Sequence, residues 1–346
     1  MAKPRINTMK ELSETIGVSR PTLSRYFRDP SAVRPSTAKK IQERLSEVDY
    51  VYNFLTTRQN RKSTELIGVI VPSYKDLFFA SLIESIEQSA RELGYTIITQ
   101  SSNGDSGVEA RAVRKLRSMS VDGAIVAPIG AAADHDTFAA ASEDFPLVFV
   151  DSRPAKSMPL ADFVGTDNTQ SIGAIVEYLC RVSVPPVFLG MPYLNANAQE
   201  REDAYRAKML ELNHVAKTIE PAIAGGSWEF EAFGYAVMDD CFGRREFTNS
   251  TILCANDRVA IGAIRAANKH GLFPRGGIAG GGLRIAGHDD HPLSQYMFPA
   301  LTTVAQDVEG IANAAVQLLA QRARGKRNSE TVEVFLNAAM KPRESA

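Results

Sequence analysis

Apolar positions along this chain follow two rhythms, and the change falls near residue 65. Residues 8–49 read as three short helices. Thr8 caps the first, with Glu11 three residues on completing a capping box. Leu12 and Ile16 form its apolar stripe, and Gly17 supplies the left-handed residue that ends it. Ser19 caps a second helix that tolerates Pro21 in its first turn and turns Leu23 and Phe27 inward. A third helix, about 35–48, buries Ile41, Leu45 and Val48. Residues 50–64 carry few core signals and read as a linker or marginal helix.

From Leu66 the pattern becomes strand and helix in alternation. Strands are predicted at 66–71, 96–99, 123–127 and 147–150, with helices near 78–93, 108–119 and 135–143. A second series follows. Its helices fall at 169–182, 201–212, 234–241 and 257–270, and its strands at 186–189, 251–255 and 283–286. A late helix at 305–324 and a strand at 331–335 close the chain. Strands alternating with helices of this length predict parallel sheets covered on both faces. Two series of similar size suggest two lobes facing a cleft. Ligands bind beyond the carboxyl ends of such strands, which points to 72–79, 127–130, 151–153, 191–201, 256–257 and 287–291.

Charge sharpens this division. The chain of 346 residues carries a net charge of −1. Residues 1–64 hold thirteen Lys and Arg against six Asp and Glu, so this head is +7 and the remainder −8. A basic head on an acidic body is the footprint of a segment that meets phosphates. The three cysteines, Cys180, Cys241 and Cys254, are widely spaced and fit a reducing compartment. No apolar run approaches the ~20 residues of a membrane span, so no membrane partner is expected. Residues 1–10 lack the apolar core of a secretory signal, and a cytoplasmic location is expected.

The segment 8–27, TMKELSETIGVSRPTLSRYF, has the physics of a helix-turn-helix whose second helix enters the major groove. Ser19, Arg20, Pro21, Ser24 and Arg25 occupy the exposed start and outer face of that helix. Arg20 is placed for bidentate pairing with guanine, and Arg25 for guanine or phosphate. The segment resembles the N-terminus of the lactose-repressor (LacI-type) family through Thr8, Leu12, Gly17, Val18, Ser19, Thr22, Leu23, Ser24 and Arg25. The likeness continues through Val33, Asp49 to Asn53, Leu66 to Pro72, Phe78-Phe79, Gly94-Tyr95 and Val121-Asp122-Gly123. Further on it takes in Asp167-Asn168, Asn256-Asp257, Gly287 to Asp290 and Leu301 to Val304.

The resemblance implies an α/β chain: an N-terminal all-α helix-turn-helix domain (1–49), a hinge (50–64) and a two-lobe periplasmic-binding-protein-like core (65–342) with parallel sheets. Lobe 1 would comprise about 65–167 and 302–329, and lobe 2 about 168–301 and 330–342. It implies DNA contacts at Thr8, Ser19, Arg20, Pro21, Thr22, Ser24, Arg25 and Arg28, and at the hinge residues Asn53, Thr56 and Gln59. Gln59 stands where the family carries an intercalating leucine, so a strong central kink in the DNA is not expected. Ligand contacts are implied at Ser73, Phe78, Phe79, Asn168, Arg201, Trp228, Asn256, Asp289 and Gln306. A carboxylate, amides and a guanidinium around one aromatic suit a polyol. The expected partners are palindromic double-stranded operator DNA, a small carbohydrate effector and a second copy of the chain. The function implied is a repressor of sugar or polyol utilisation genes.

Neither a metal nor a cofactor is expected. The glycines at 276–282 lack a following Lys-Ser/Thr and do not open a helix, so they read as a loop inserted before a strand rather than a phosphate cradle. His288 to His291 read as cleft and loop residues rather than metal ligands. Two rival classes remain: a solute-binding protein without DNA binding, and a sugar-processing enzyme using Asp289 and His288. No nucleophile–histidine–acid order or paired-carboxylate motif favours the enzyme.

Overall fold

The computed structural model describes residues 4–6, 8–50, 63–130, 135–154, 161–221, 228–273, 282–325 and 330–346. The chain divides into two compact units, Met1–Thr64 and Glu65–Ala346. The hinge candidates Asn53, Thr56 and Gln59 lie outside the described residues, as do the side chain of Arg28 and most of the glycine run.

In the first unit, β1 (Arg5–Ile6) is followed by α1 (Met9–Ile16), α2 (Arg20–Arg28), α3 (Pro35–Ser46) and β2 (Asp49–Tyr50). Thr8 accepts the Glu11 amide at 3.1 Å, capping α1. Gly17 closes that helix at φ 64, a conformation that costs a residue without Cβ little. Ser19 caps α2 through the Thr22 amide. Leu12, Ile16, Leu23 and Ile41 meet in a small core with Ile6 and Val48. Val48 lies past the end of α3 rather than within it, and Phe27 and Leu45 are only partly buried against this core.

The second unit opens with β3 (Leu66–Val71), α4 (Leu77–Glu92), β4 (Thr96–Ser101), α5 (Ser106–Ser118), β5 (Gly123–Val126), α6 (His135–Asp144), β6 (Leu147–Val150) and β7 (Ala161–Thr166). There follow α7 (Asn168–Val182), β8 (Val187–Leu189), α8 (Ala196–Glu211), α9 (Phe230–Gly243), β9 (Thr251–Cys254), α10 (Asp257–Lys269) and β10 (Arg284–Ala286). The unit ends with β11 (Thr303–Ala305), α11 (Val308–Ala323), β12 (Glu333–Leu336) and β13 (Ala339–Lys341). Two parallel sheets result, in the orders β12-β7-β6-β5-β3-β4 and β10-β9-β8. Each has its own core. Ile67, Leu82, Ile125 and Ile311 fill the first, and Ile175, Phe188, Tyr205 and Ile264 the second. Among the described residues, no helix is long and apolar enough to cross a membrane.

Several sequence expectations need correction. Strand β7 was not foreseen, because buried Asp162 interrupts its apolar run; Arg322 neutralises that carboxylate through two nitrogens at 2.7–2.8 Å. Residues 330–342 were assigned to the second lobe. Instead Glu333–Leu336 pairs in parallel with β7 at the edge of the first sheet. Only Ala339–Lys341 turns away, pairing antiparallel with β11. Residues 302–305 were assigned to the first lobe, yet β11 bridges to the second half through Ala286–Thr302 and Asp289–Ala305. Helix α11 therefore begins at Val308, where Asp307 caps it. The chain crosses between the halves three times, and hydrogen bonds tie the crossings together: Thr166 to Gln306, Asp167 N–H to Leu336 C=O, and the Gln170 amide to Ala338.

Glu109 on α5 is fully buried, accepts the Ile129 amide at 3.0 Å through Oε1, and leaves Oε2 without a partner. Burial raises its pKa from 4.5 to about 7. The folded state therefore holds a proton that the unfolded chain has released. Stability from this group is complete below about 4.5 and is lost as pH rises through about 7. Glu109→Gln should accordingly flatten the fall of melting temperature between pH 5 and 8. Superimposable melting-temperature profiles for variant and parent would show that Glu109 is already ionised.

Candidate functional site

In the first unit the exposed start of α2 presents Ser19, Arg20, Pro21 and Arg25, while Thr22 and Ser24 are half-buried. Thr8 is exposed at the start of α1. The hydroxyls of Thr8 and Ser19 also serve as helix caps, so these residues shape the surface as well as line it.

In the second unit a cleft opens beyond the carboxyl ends of β3, β6, β8, β9 and β10. Its walls are Asp76, Phe78, Phe79, Asp151, Met191, Asn195, Asn197, Arg201, Trp228, Phe230, Asn256, Arg258 and Asp289. The space between them is about 30 Å³, enough for one or two waters. One wall is aromatic: Trp228 lies 6.3 Å from Phe79 and 5.1 Å from Phe230 between ring centres.

Two ionic clusters line the rest. In the first, every nitrogen of the Arg201 guanidinium is engaged. Nε donates to Asn168 Oδ1 at 3.1 Å, Nη1 to the Ala255 carbonyl at 2.8 Å, and Nη2 pairs with Asp289 Oδ1 at 2.9 Å. Asp289 Oδ1 also meets Gln306 Nε2 and His288 Nδ1, both at 2.8 Å. These described partners all converge on Oδ1. Burial opposes the charge on Asp289, but Arg201 and His288 outweigh it and hold the pKa below the ordinary value. Burial first, then the nearby Arg201 charge, pushes His288 down to about 4. The neutral ring donates from Nδ1 to Asp289 and accepts from Ser171 Oγ at Nε2.

In the second cluster Arg258, in the first turn of α10, grips Glu231 with Nε and Nη2 at 2.7 and 2.6 Å. Its Nη1 reaches Asp76 at 3.0 Å, and its Nη2 the Trp228 carbonyl at 3.1 Å. Asp76 caps α4 through the Phe78 amide. Burial raises the Asp76 pKa in spite of Arg258.

Asp151 stands between the clusters at φ 64, a strained position for a residue with a Cβ. Burial, reinforced by the charges of Asp289 and Asp76 and opposed by Arg201, raises its pKa to about 7. Two buried atoms of lining residues, Trp228 Nε1 and Asn195 Oδ1, have no partner. An orphaned buried polar atom is costly unless a ligand or water satisfies it. Asp257, also raised to about 7 by burial, is different. Ser294, Thr303 and the His291 amide satisfy its carboxylate, and its role is structural.

The cleft brings together Phe78, Phe79, Arg201, Trp228, Asn256 and Asp289 of the nine candidates. Asn168 and Gln306 stand behind it and hold Arg201 and Asp289 in place. Ser73 does not line it; its hydroxyl closes a turn with the Lys75 amide. Asn256 caps α10 through the Val259 amide. Asp76, Asp151, Asn195 and Asn197 were missed as individual residues, although the strand-end segments contained them. Arg258 and Phe230 lay beyond those segments.

Profiles of two families match the chain: one described as a periplasmic binding protein domain over residues 67–327, the other as a helix-turn-helix over residues 2–52. The chain belongs to the lactose-repressor family of transcription regulators. Its relatives include the HTH-type transcriptional repressor PurR of Vibrio campbellii, 26% identical over 94% of each chain. The regulator MalR of Streptomyces coelicolor is 26% identical over 95% of this chain and 93% of its own. Among solved structures, the Lac repressor bound to ONPG superposes with a TM-score of 0.80 at 23% identity, covering 99% of this chain and 100% of that one. The regulator CelR with cellobiose gives 0.67 at 20% identity, over 98% and 99%. Membership makes this chain a transcription regulator with a ligand-binding domain, and its relatives are regulators rather than enzymes.

Proposed function

We propose that this regulator is a cytoplasmic repressor of sugar or polyol utilisation genes, which as a homodimer binds palindromic operator DNA. A small carbohydrate in the cleft changes its operator affinity. The observation that carries this reading is the cleft itself. An aromatic wall of Phe79, Trp228 and Phe230 shares the lining with Asp289 and with the unsatisfied Asn195 Oδ1 and Trp228 Nε1, a lining that suits the faces and hydroxyls of a sugar ring. The CelR structure, by its description, holds cellobiose. The present cleft is narrower than a sugar, so entry requires its walls to part about the three crossings. The effector then acts through its different affinities for the open and closed forms. A thermal-shift screen against sugars and polyols, followed by operator-binding titrations with each hit, tests the reading. Hits that leave operator binding unchanged would count against it.

The DNA half rests on α2. Arg20→Ala should weaken cognate operator binding by roughly 1–3 kcal/mol and relax base preference at one position of each half-site. A mobility-shift titration with wild-type and base-substituted operators reads both effects. Unchanged affinity and preference would remove Arg20 from base readout.

A further inference from the structure

The cleft's supply of hydrogen-bond donors and acceptors is lopsided. Three carboxylates line it, Asp76, Asp151 and Asp289, against two guanidiniums, Arg201 and Arg258. Glu231 adds a fourth carboxylate behind Arg258. Both guanidiniums are already occupied at every nitrogen: Arg201 by Asp289, Asn168 and the Ala255 carbonyl, Arg258 by Glu231, Asp76 and the Trp228 carbonyl. Of the atoms left over, Asn195 Oδ1 and Asp289 Oδ2 accept, and Trp228 Nε1 and the Asn195 amide nitrogen donate, none of them carrying a positive charge. Asp151, which Asn197 hydrogen-bonds, accepts as well when ionised, and among the described residues no ion pair neutralises it.

We infer that the effector is uncharged and rich in hydroxyl donors, and that phosphorylated and carboxylated sugars are excluded from this cleft. The inference rests on reading the cleft as the effector site. A phosphate brings only acceptors and negative charge. To bind, it would have to displace a carboxylate from a guanidinium, and among the described lining residues the displaced carboxylate has no other cation. A neutral polyol brings one donor per hydroxyl and leaves both clusters intact. It donates to Asn195, Asp289 and Asp151, and offers an oxygen to Trp228. Asp76 and Glu231 act as anion-excluding residues, because they consume the binding capacity of Arg258.

The test is a matched panel measured by thermal shift and calorimetry on the full chain. Its neutral members are glucose, galactose, mannose, ribose, xylose, maltose, cellobiose, sorbitol and xylitol. Its anionic members are glucose 6-phosphate, fructose 6-phosphate, ribose 5-phosphate and gluconate. The expected result is saturable binding of at least one neutral member and of no anionic member. The phosphorylated or oxidised form of any hit should bind at least a hundredfold more weakly. An anionic member that binds as well as its neutral counterpart overturns the inference and leaves the effector-site reading standing. Silence across the whole panel overturns both. A second arm uses the Asp76→Asn, Glu231→Gln double variant, which frees Arg258. The ratio of its affinities for the phosphorylated and neutral forms of the hit should rise at least tenfold over the parent's, and an unchanged ratio overturns the role given to these two carboxylates.

Discussion

Arg201→Ala is expected to abolish the effector response and to destabilise the ligand-binding unit by about 3–5 kcal/mol, the range seen when one partner of a buried ion pair is removed. Arg201 is 3% exposed and its partner Asp289 16%. The guanidinium also joins α7, through Asn168, to the end of β9, through the Ala255 carbonyl. Its loss strands a buried carboxylate and two acceptors at once. For a unit of this size the change should lower the melting temperature by roughly 10 °C. It also carries a pH signature. The Arg201 charge is one of the influences holding His288 down, so without it the ring protonates more readily beside Asp289. An unfolded histidine protonates near 6.5 while the parent ring stays neutral to about 4, so the parent loses stability through this ring as pH falls; the variant should lose less, and its deficit should narrow toward pH 5. Arg201→Lys should restore charge and part of the stability but not the effector response, since a lysine cannot span three separate acceptors. Operator binding by the N-terminal unit should persist below the melting temperature, because Leu12, Ile16, Leu23 and Ile41 form their own core. Calorimetry with a cognate sugar and chemical denaturation decide the matter; parental values in both would deny Arg201 any role in the cleft.

Much of this was legible in the sequence, and the exceptions share a cause. Caps, glycine and apolar spacing located α1 and the start of α2 within a residue, because those signals are local. The strand-end rule located most of the cleft, since the carboxyl ends of parallel strands converge wherever the helices cover both faces. What it could not see were pairings between distant residues. Asp76 and Arg258 are 182 positions apart and each reads alone as a solvated surface charge. Asp162 hid β7 because its partner Arg322 lies 160 positions on. The edge strand β12, half exposed with alternating burial, carries no continuous apolar run to mark the sheet it joins. Asn168 and Gln306 were recognised as site residues, but whether they touch a ligand or brace the residues that do depends on side-chain directions that spacing does not encode.

The pairing hidden from the sequence yields the other large effect. Among the described residues, Arg258–Asp76 is the one ion pair that joins the two halves of the ligand-binding unit, with side chains 12% and 7% exposed. Asp76 caps α4 of the first half; Arg258 stands on α10 of the second, held by Glu231 and lying over the Phe230 ring at 5.1 Å. A pair so placed ties the two walls of the cleft together, as a latch would. Arg258→Met keeps much of the apolar stem over Phe230 but removes the latch, and the closed form should become less populated. Apparent effector affinity falls in proportion to that population, and a loss of about tenfold corresponds to about 1.4 kcal/mol. Asp76→Asn removes the same pair from the other side while asparagine preserves the cap. If the latch is real, the two substitutions should not add: the double variant should be little worse than either alone, giving a coupling of about 1 kcal/mol or more. Burial already raises the Asp76 pKa, and Arg258 is the chief influence opposing it. Without the arginine the pKa rises further. The neutral acid is then tolerated at low pH, and Arg258→Met should lose stability with rising pH more steeply than the parent. A double-mutant cycle in effector affinity that closes to zero would show that the two residues act independently and that closure depends on other contacts.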